Sequence, residues 1–163
     1  MFWRLSRIGV MEITGVISSG RGTTDNLRLL EILEKDPRYK AVVLDIDSPG
    51  GTASASEYLH NAVAKAAARK PVIAFIRNIG ASGAYMMCCA ATRTIAFPSA
   101  IVGSIGVISM RPILQQLMQR LGVSISVTKG GRLKDMGAFY REPTPEEQQK
   151  EQELVEAFYD RFL

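Results

Sequence analysis

Residues 41–57 have the sequence AVVLDIDSPGGTASASE, and this stretch decides the fold class. The apolar run from Ala41 to Ile46 favours a strand buried on both faces. Asp-Ser-Pro-Gly-Gly follows as a turn, and the Ser-x-x-Glu pair Ser54 and Glu57 predicts a capping box that opens an Ala-rich helix to about Arg69. A strand, a glycine turn and a capped helix in this order are the repeating unit of a parallel α/β sheet.

The same order recurs on both sides of that stretch. The pattern predicts strands over 8–17, 71–76, 94–97 and 123–128, and helices over 24–35, 82–91 and 111–121. Thr144 and Glu147 form a second capping box, for a polar helix that runs to Arg161. We therefore expect one α/β domain over residues 1–163, with a largely parallel sheet, repeated β-α units and right-handed crossovers. The last helix has no stop signal before Leu163, and two interpretations stay open: the natural chain continues and this element is truncated, or the helix packs its apolar face on the body of the domain or on another subunit.

Composition excludes several functional classes. The chain has 163 residues and a formal charge of +4, with one histidine, His60, and two adjacent cysteines, Cys88 and Cys89. These counts cannot supply a usual zinc site or a disulfide framework, so neither a metal nor a cofactor is expected. Because the positive charges are scattered, nucleic-acid binding is not expected either. The sequence contains no apolar run of about 18 residues and no cleavage site after its opening segment, so it predicts no membrane span and no signal peptide.

Three small-residue loops follow predicted strands, and parallel sheets place ligands at that edge. The first contains Gly50 and Gly51, whose bare backbone N–H groups suit an oxyanion, although a plain strand-helix turn explains them as well. In the second, Gly80 to Ala84, Ser82 lies in the first turn of a helix and is a candidate nucleophile. An ordinary N-cap serine is the alternative. The third loop runs from Val102 to Val107.

A serine nucleophile needs a base, and His60 does not suit that role. The α/β-hydrolases place their histidine after the serine, whereas His60 precedes Ser82 and falls within a predicted helix. Lysine is the next candidate, and Lys134 follows a Gly-Gly pair in a loop before the last helix. A lysine base must be neutral, which needs an apolar pocket and a hydroxyl to hold its amine; Ser104 could provide that hydroxyl. A solvated loop cation is the alternative interpretation of Lys134.

Taken together, the loops resemble the signal peptide peptidase A family. These Ser-Lys serine peptidases share a fold with the Clp protease proteolytic subunit and the crotonases. The matching segments occur in the family's order and cover nearly the whole chain: 47–51, 80–85, 103–107, and Lys134-Asp135 followed by Arg141 and 144–147. Asp47 stands where the family often has Asn, and Ala84 where a second Gly is usual, but neither change removes a catalytic group.

The resemblance implies a role for each site residue. Ser82 would be the nucleophile, Lys134 the general base and Ser104 the group that orients its amine. The backbone N–H groups of Gly83 and Gly50 would form the oxyanion hole, with Gly51 as the adjoining possibility. The family cleaves apolar peptides such as remnant signal peptides through an acyl-enzyme.

Its members also assemble into homo-oligomeric rings and are usually membrane-anchored, with the catalytic domain outside the cytoplasm. Any anchor would lie outside this sequence. Three other interpretations stay open: a Ser-Lys peptidase specific for a membrane-protein partner, a crotonase-like acyl-CoA enzyme, and a non-catalytic scaffold.

Overall fold

The computed structural model describes residues 6–163, so the first five residues of the opening segment lie outside the described part of the chain. The chain divides into two compact units, Met1–Gly106 and Val107–Leu163, and each is described by itself. The expected single domain over 1–163 stays a prediction. Among the described residues, no helix is both long and apolar enough to cross a membrane.

The first unit is a five-stranded parallel sheet with three helices. In chain order its elements are β1 (Arg7–Thr14), α1 (Arg21–Lys35), β2 (Tyr39–Ser48), α2 (Ala53–Ala67), β3 (Val72–Ala81), α3 (Gly83–Cys89), β4 (Arg93–Ala96) and β5 (Ile101–Gly103). The strand order is β1-β2-β3-β4, and β5 pairs with β3 beyond the end of β4. All four pairings are parallel, as the β-α repeat predicts.

The core of this unit lies on one face of the sheet. Alternate residues of the three long strands are buried there against α1, α2 and α3: Met11, Ile13, Val42, Leu44, Ile46, Val72, Ala74 and Ile76 from the strands, with Leu30, Leu59, Val63 and Met87 from the helices. The other face is only half-buried along β2 and is exposed at Ile8 and Val10 of β1. The expectation that β2 is buried on both faces is therefore wrong, because the three helices pack together over the same face.

Two local predictions in the first unit are also wrong. The helix α2 begins at Ala53 after Thr52, with no side-chain capping bond, so Ser54 and Glu57 do not form a capping box. The Thr52 carbonyl accepts from the Ser56 N–H at 3.1 Å, so the helix starts two residues earlier than the Ser-x-x-Glu spacing indicates, while the Thr52 N–H donates to the Ile17 carbonyl at 2.9 Å. Strand β5 falls where only a small-residue loop is expected, because it exists through its pairing with β3.

The second unit contains two helices, α4 (Gln115–Arg120) and α5 (Pro145–Phe162). The capping box of Thr144 and Glu147 is confirmed, with both reciprocal hydrogen bonds present at the start of α5. The helix predicted over 111–121 is shorter, since Leu114 is its N-cap and donates its N–H to the Phe139 carbonyl at 2.7 Å. The strand predicted over 123–128 is not formed within the described chain, because no strand pairs with it there.

Candidate active site

Ser82 occupies a strained backbone position at the junction of β3 and α3. Its φ of 50° and ψ of −126° are those of the first central residue of a type II′ turn, where glycine is usual. The Ser82 N–H donates to the Gly103 carbonyl at 2.8 Å, and the Ser82 carbonyl accepts from the Met86 N–H at 3.0 Å. The backbone on both sides therefore holds this half-buried serine in a conformation that an isolated chain would avoid.

The pairing of β3 with β5 brings Ser104 to the same corner. Ala81 is the register partner of Gly103, so Ser82 and Ser104 are the residues that immediately follow a paired position. Ser104 also has a positive φ, of 54°, and its side chain is exposed. Hence the two serines leave the sheet side by side with unusual backbone conformations, and no hydrogen bond joins their hydroxyls among the described residues.

The Pro-Gly-Gly loop lies directly against Ser82. A Cβ added to Gly50, whose φ is +92°, would stand 2.7 Å from the Ala81 carbonyl oxygen and 2.9 Å from the Ser82 Cβ. Only glycine permits this approach, because the left-handed backbone and the contact both exclude a side chain. The Gly50 N–H donates to the Ser48 hydroxyl at 3.1 Å, and that hydroxyl donates to the Gly15 carbonyl at 2.6 Å.

The N–H groups of Gly51 and Gly83 are arranged differently. Ile17 bridges the loop by donating to the Gly50 carbonyl at 2.8 Å and accepting from the Thr52 N–H, so the intervening Gly51 N–H points away from Ile17. The Gly51 nitrogen lies 3.6 Å from the position that a Cβ on Gly83 would take. Gly83 is the first residue of α3, where no intrahelical acceptor exists for its N–H. Two amide donors without a partner among residues 6–163 thus lie together beside Ser82.

Ser56 is a neighbour of this site that no sequence signal marks. A Cβ on Gly83 would overlap the Ser56 hydroxyl and would lie 2.6 Å from the Ser56 Cβ. Ser56 is buried on α2 and donates to the Thr52 carbonyl at 2.9 Å. Its short side chain therefore allows α2 to approach the start of α3, and this contact excludes any larger residue than glycine at position 83.

His60 is engaged elsewhere. It lies within α2, and its Nδ1 is 2.8 Å from the Met86 carbonyl oxygen of α3. This contact joins the two helices and gives the imidazole a structural role. The cysteines that follow Met86 and Met87 are both free thiols: Cys88 is buried, whereas Cys89 is exposed. The described residues contain no group of three or more His, Cys, Asp or Glu that could hold a metal ion.

Lys134 belongs to the second unit. It lies in a series of tight turns, with its N–H donating to the Gly131 carbonyl at 3.3 Å and Met136 donating to Leu133 at 3.1 Å. Its side chain is exposed. Within the described residues its amine has no hydrogen bond or ion pair, whereas Lys129 and Lys150 of the same unit each have a carboxylate partner.

The charged residues around Lys134 form a dense cluster. Asp135 accepts from Lys129, Tyr140 and Arg141, and the Lys129 contact is foremost in lowering the pKa of its carboxyl far below the usual range. Arg141 also forms a bidentate pair with Glu147, at 2.5 and 2.7 Å. That pair, with the Thr144 N–H, lowers the pKa of Glu147 to about 2. Arg141 in turn has its pKa raised, first by Glu147 and then by Asp135.

Comparison with known proteins identifies relatives of this chain. Residues 64–163 match the model of peptidase family S49. A protein of Methanocaldococcus jannaschii is 39% identical over 137 residues, which are 84% of this chain and 44% of that protein. Serine protease SPPA of Arabidopsis thaliana chloroplasts is 34% identical over 167 residues, covering 96% of this chain and 25% of the plant protein. The chain thus spans less than half the length of these two relatives.

Solved structures with the same fold include two peptidases. A membrane-bound stomatin-specific protease in complex with a substrate peptide has a TM-score of 0.55 at 23% identity, over 63% of this chain and 47% of that one. A Clp protease subunit from Listeria monocytogenes has a TM-score of 0.50 at 20% identity, over 56% of this chain and 52% of that one. At these identities the likeness establishes the fold, which is that of the Clp protease subunit.

Proposed function

The chain belongs to peptidase family S49, the serine-type signal peptide peptidase A family. From this membership we propose that it is an endopeptidase that works with a Ser-Lys dyad. The observation that carries the proposal is the corner formed by Ser82, Gly51 and Gly83. There a strained serine faces two free amide donors, while the histidine that a Ser-His-Asp mechanism would need is bonded elsewhere. An activated serine and an oxyanion site are the two parts that acyl transfer requires.

In the proposed mechanism Ser82 is the nucleophile and Lys134 is the general base. The neutral Lys134 amine takes the proton of the Ser82 hydroxyl as the oxygen attacks the peptide carbonyl. The resulting oxyanion accepts hydrogen bonds from two backbone N–H groups, and collapse releases the amine product with that proton. Water then attacks the acyl-enzyme, with Lys134 again as base, to release the acid product and restore Ser82. Ser104 would accept a hydrogen bond from the amine and orient it.

We assign the oxyanion hole to Gly51 and Gly83 rather than to Gly50 and Gly83. The Gly50 N–H is already donated to Ser48, and losing that bond would disturb the turn that presents the loop. The Gly51 N–H has no such partner in the described part of the chain and lies beside Gly83. Gly50 then serves by its backbone conformation, because its positive φ is what allows the loop to touch Ser82.

We further propose that the substrates are apolar peptides such as signal-peptide remnants, and that the protein acts as a membrane-associated homo-oligomeric ring. Family membership supports this substrate class, and the ring-forming Clp protease subunit shares the fold. A second candidate is a peptidase that cuts one membrane-protein partner. It is supported by the structural neighbour that is named as membrane-bound and stomatin-specific.

The test is covalent labelling with a fluorophosphonate probe followed by mass spectrometry of the labelled peptide. We expect one adduct, on Ser82, and none in S82A, with S54A as the matched serine control on the exposed surface of α2. K134A should abolish cleavage of a fluorogenic apolar peptide, whereas K150A, which removes a surface lysine paired with Glu153, should not. Full activity in S82A or K134A would refute the dyad.

The pH profile gives a second test. A lysine base must be deprotonated, and the ordinary lysine pKa is about 10.4, so activity should rise with pH to an alkaline optimum. A rate plateau that extends down to about pH 5 would contradict a lysine base. Absence of any serine adduct, together with calorimetric binding of an acyl-CoA, would favour the crotonase-type alternative instead.

A further inference from the structure

We propose that Asp135, Arg141 and Glu147 are positioning residues for Lys134, which hold its loop on helix α5 and keep the surrounding charge balanced. This inference rests on the proposed function, since it concerns the base of the Ser-Lys dyad. We use the term Arg141 cluster for Lys129, Asp135, Tyr140, Arg141 and Glu147 together.

The cluster connects Lys134 to the start of helix α5. Glu147 is 2% exposed and closes the capping box at the start of α5, where its carboxylate also accepts the Thr144 N–H at 2.8 Å. Arg141 is clamped to that carboxylate by two hydrogen bonds. The same guanidinium donates to Asp135 through Nε at 3.1 Å and approaches it through Nη2 at 2.9 Å. Asp135 directly follows Lys134 in the chain. These contacts therefore fix to α5 the residue next to the proposed base.

The loop needs such an anchor because its own backbone is permissive. Gly130 and Gly131 precede Lys134 and Gly137 follows it, and two of these glycines have positive φ, +94° at Gly131 and +87° at Gly137. Glycine leaves the unfolded and partly folded loop with many accessible conformations. A general base must instead be held near one productive geometry. The side chains of the Arg141 cluster provide the restraint that the backbone lacks.

The charges of the cluster also cancel. Asp135 and Glu147 contribute two negative charges, and Lys129 and Arg141 contribute two positive ones. An isolated carboxylate next to Lys134 would favour the ammonium form, which cannot accept a proton. Paired with Lys129 and Arg141, Asp135 exerts little net field on the amine. Elsewhere in the loop and at the start of α5, Arg132 pairs with Glu146, and Glu142 is exposed.

The experiment compares three variants by kcat, KM and the acidic limb of the pH profile, using a fluorogenic apolar peptide and the whole chain. R141K keeps the charge but cannot hold Glu147 and Asp135 at once, so kcat should fall on the order of tenfold to a hundredfold with KM nearly unchanged and the limb unmoved. R141Q leaves a net negative charge, and its acidic limb should move to higher pH by about half a unit. D135N leaves a net positive charge, and its limb should move by about the same amount to lower pH.

R120Q is the matched control, because it removes an exposed arginine of the same unit outside the cluster and should leave all three quantities unchanged. Thermal unfolding of each variant shows whether it is folded at the assay temperature. If R141Q is unfolded there, the kcat of R141K and the pH profile of D135N still test the inference. Wild-type kcat in R141K, or displacement of the limb in the same direction in R141Q and D135N, would overturn the inference and leave the dyad standing. Full activity in K134A would instead overturn the dyad itself.

Discussion

The backbone strain at Ser82 predicts that replacing this serine with glycine makes the protein more stable than replacing it with alanine. Both changes remove the hydroxyl, so they differ only in the Cβ, which is the atom that disfavours a φ of 50° with a ψ of −126°. A residue held in such a region costs about 1–3 kcal/mol. Glycine loses about 0.5–1 kcal/mol through the entropy of the unfolded chain. The difference leaves S82G about 1 kcal/mol more stable than S82A.

The assay is urea denaturation followed by circular dichroism, with a matched pair in an ordinary helical conformation. Asn61 is exposed within α2, and there glycine should be about 1 kcal/mol less stable than alanine. The order of the two residues should therefore reverse between position 82 and position 61. If S82G is less stable than S82A, the strain does not exist and the held conformation cannot help to activate the serine.

Three further outcomes can be tested on the folded chain. Lys70 donates to three backbone carbonyls around the end of α1, at 2.6, 2.9 and 3.1 Å. K70M should therefore lower the free energy of unfolding by about 2–3 kcal/mol. K35M, which removes one partner of an exposed ion pair, should lower it only slightly. An equal loss in both variants would contradict this reasoning. Burial raises the pKa of the Cys88 thiol to about 12, so iodoacetamide at pH 8 should label exposed Cys89 and spare Cys88 until urea is added. The pKa of Glu147 is lowered to about 2 from an ordinary value near 4.5. The stability that this carboxylate contributes is therefore complete above pH 4.5 and is lost as the pH falls toward 2. Acid unfolding of E147Q should show a weaker pH dependence between these two pH values than acid unfolding of the wild type.

The alternation of strands and helices in the first unit could be predicted because each signal is local. An apolar run before a glycine turn identifies β2 and β3, and parallel strands bring their C-terminal loops to one edge of the sheet. The sequence therefore predicts that the Gly50-Gly51 loop and Ser82 lie at the same edge of the sheet, and the family resemblance implies that they approach each other. Which of the two amides stays free does not follow, because the answer depends on the Ser48 hydroxyl and on the bridge from Ile17.

The failures arise where an element depends on a partner in space. Strand β5 has three residues and exists only because its register continues β3 beyond β4. The segment 123–128 alternates well, but alternation cannot supply the missing neighbouring strand. The Arg141 cluster is also invisible to periodicity, since Asp135, Arg141 and Glu147 follow neither helical nor strand spacing along the turns that join them.

The register of β3 and β5 explains why Ser82 and Ser104, which both have a positive φ, leave the sheet side by side. β3 pairs with β4 through Ile76 and with β5 from Ile79 onward, so its last residues are held by a strand that ends at Gly103. The Ser82 N–H continues this ladder by donating to the Gly103 carbonyl. The pairing of β3 and β5 therefore ends directly at Ser82 and Ser104. One hydrogen bond therefore joins the two places where the chain leaves the sheet. Under the proposed roles, this hydrogen bond would help to position both the nucleophile Ser82 and the amine-orienting Ser104.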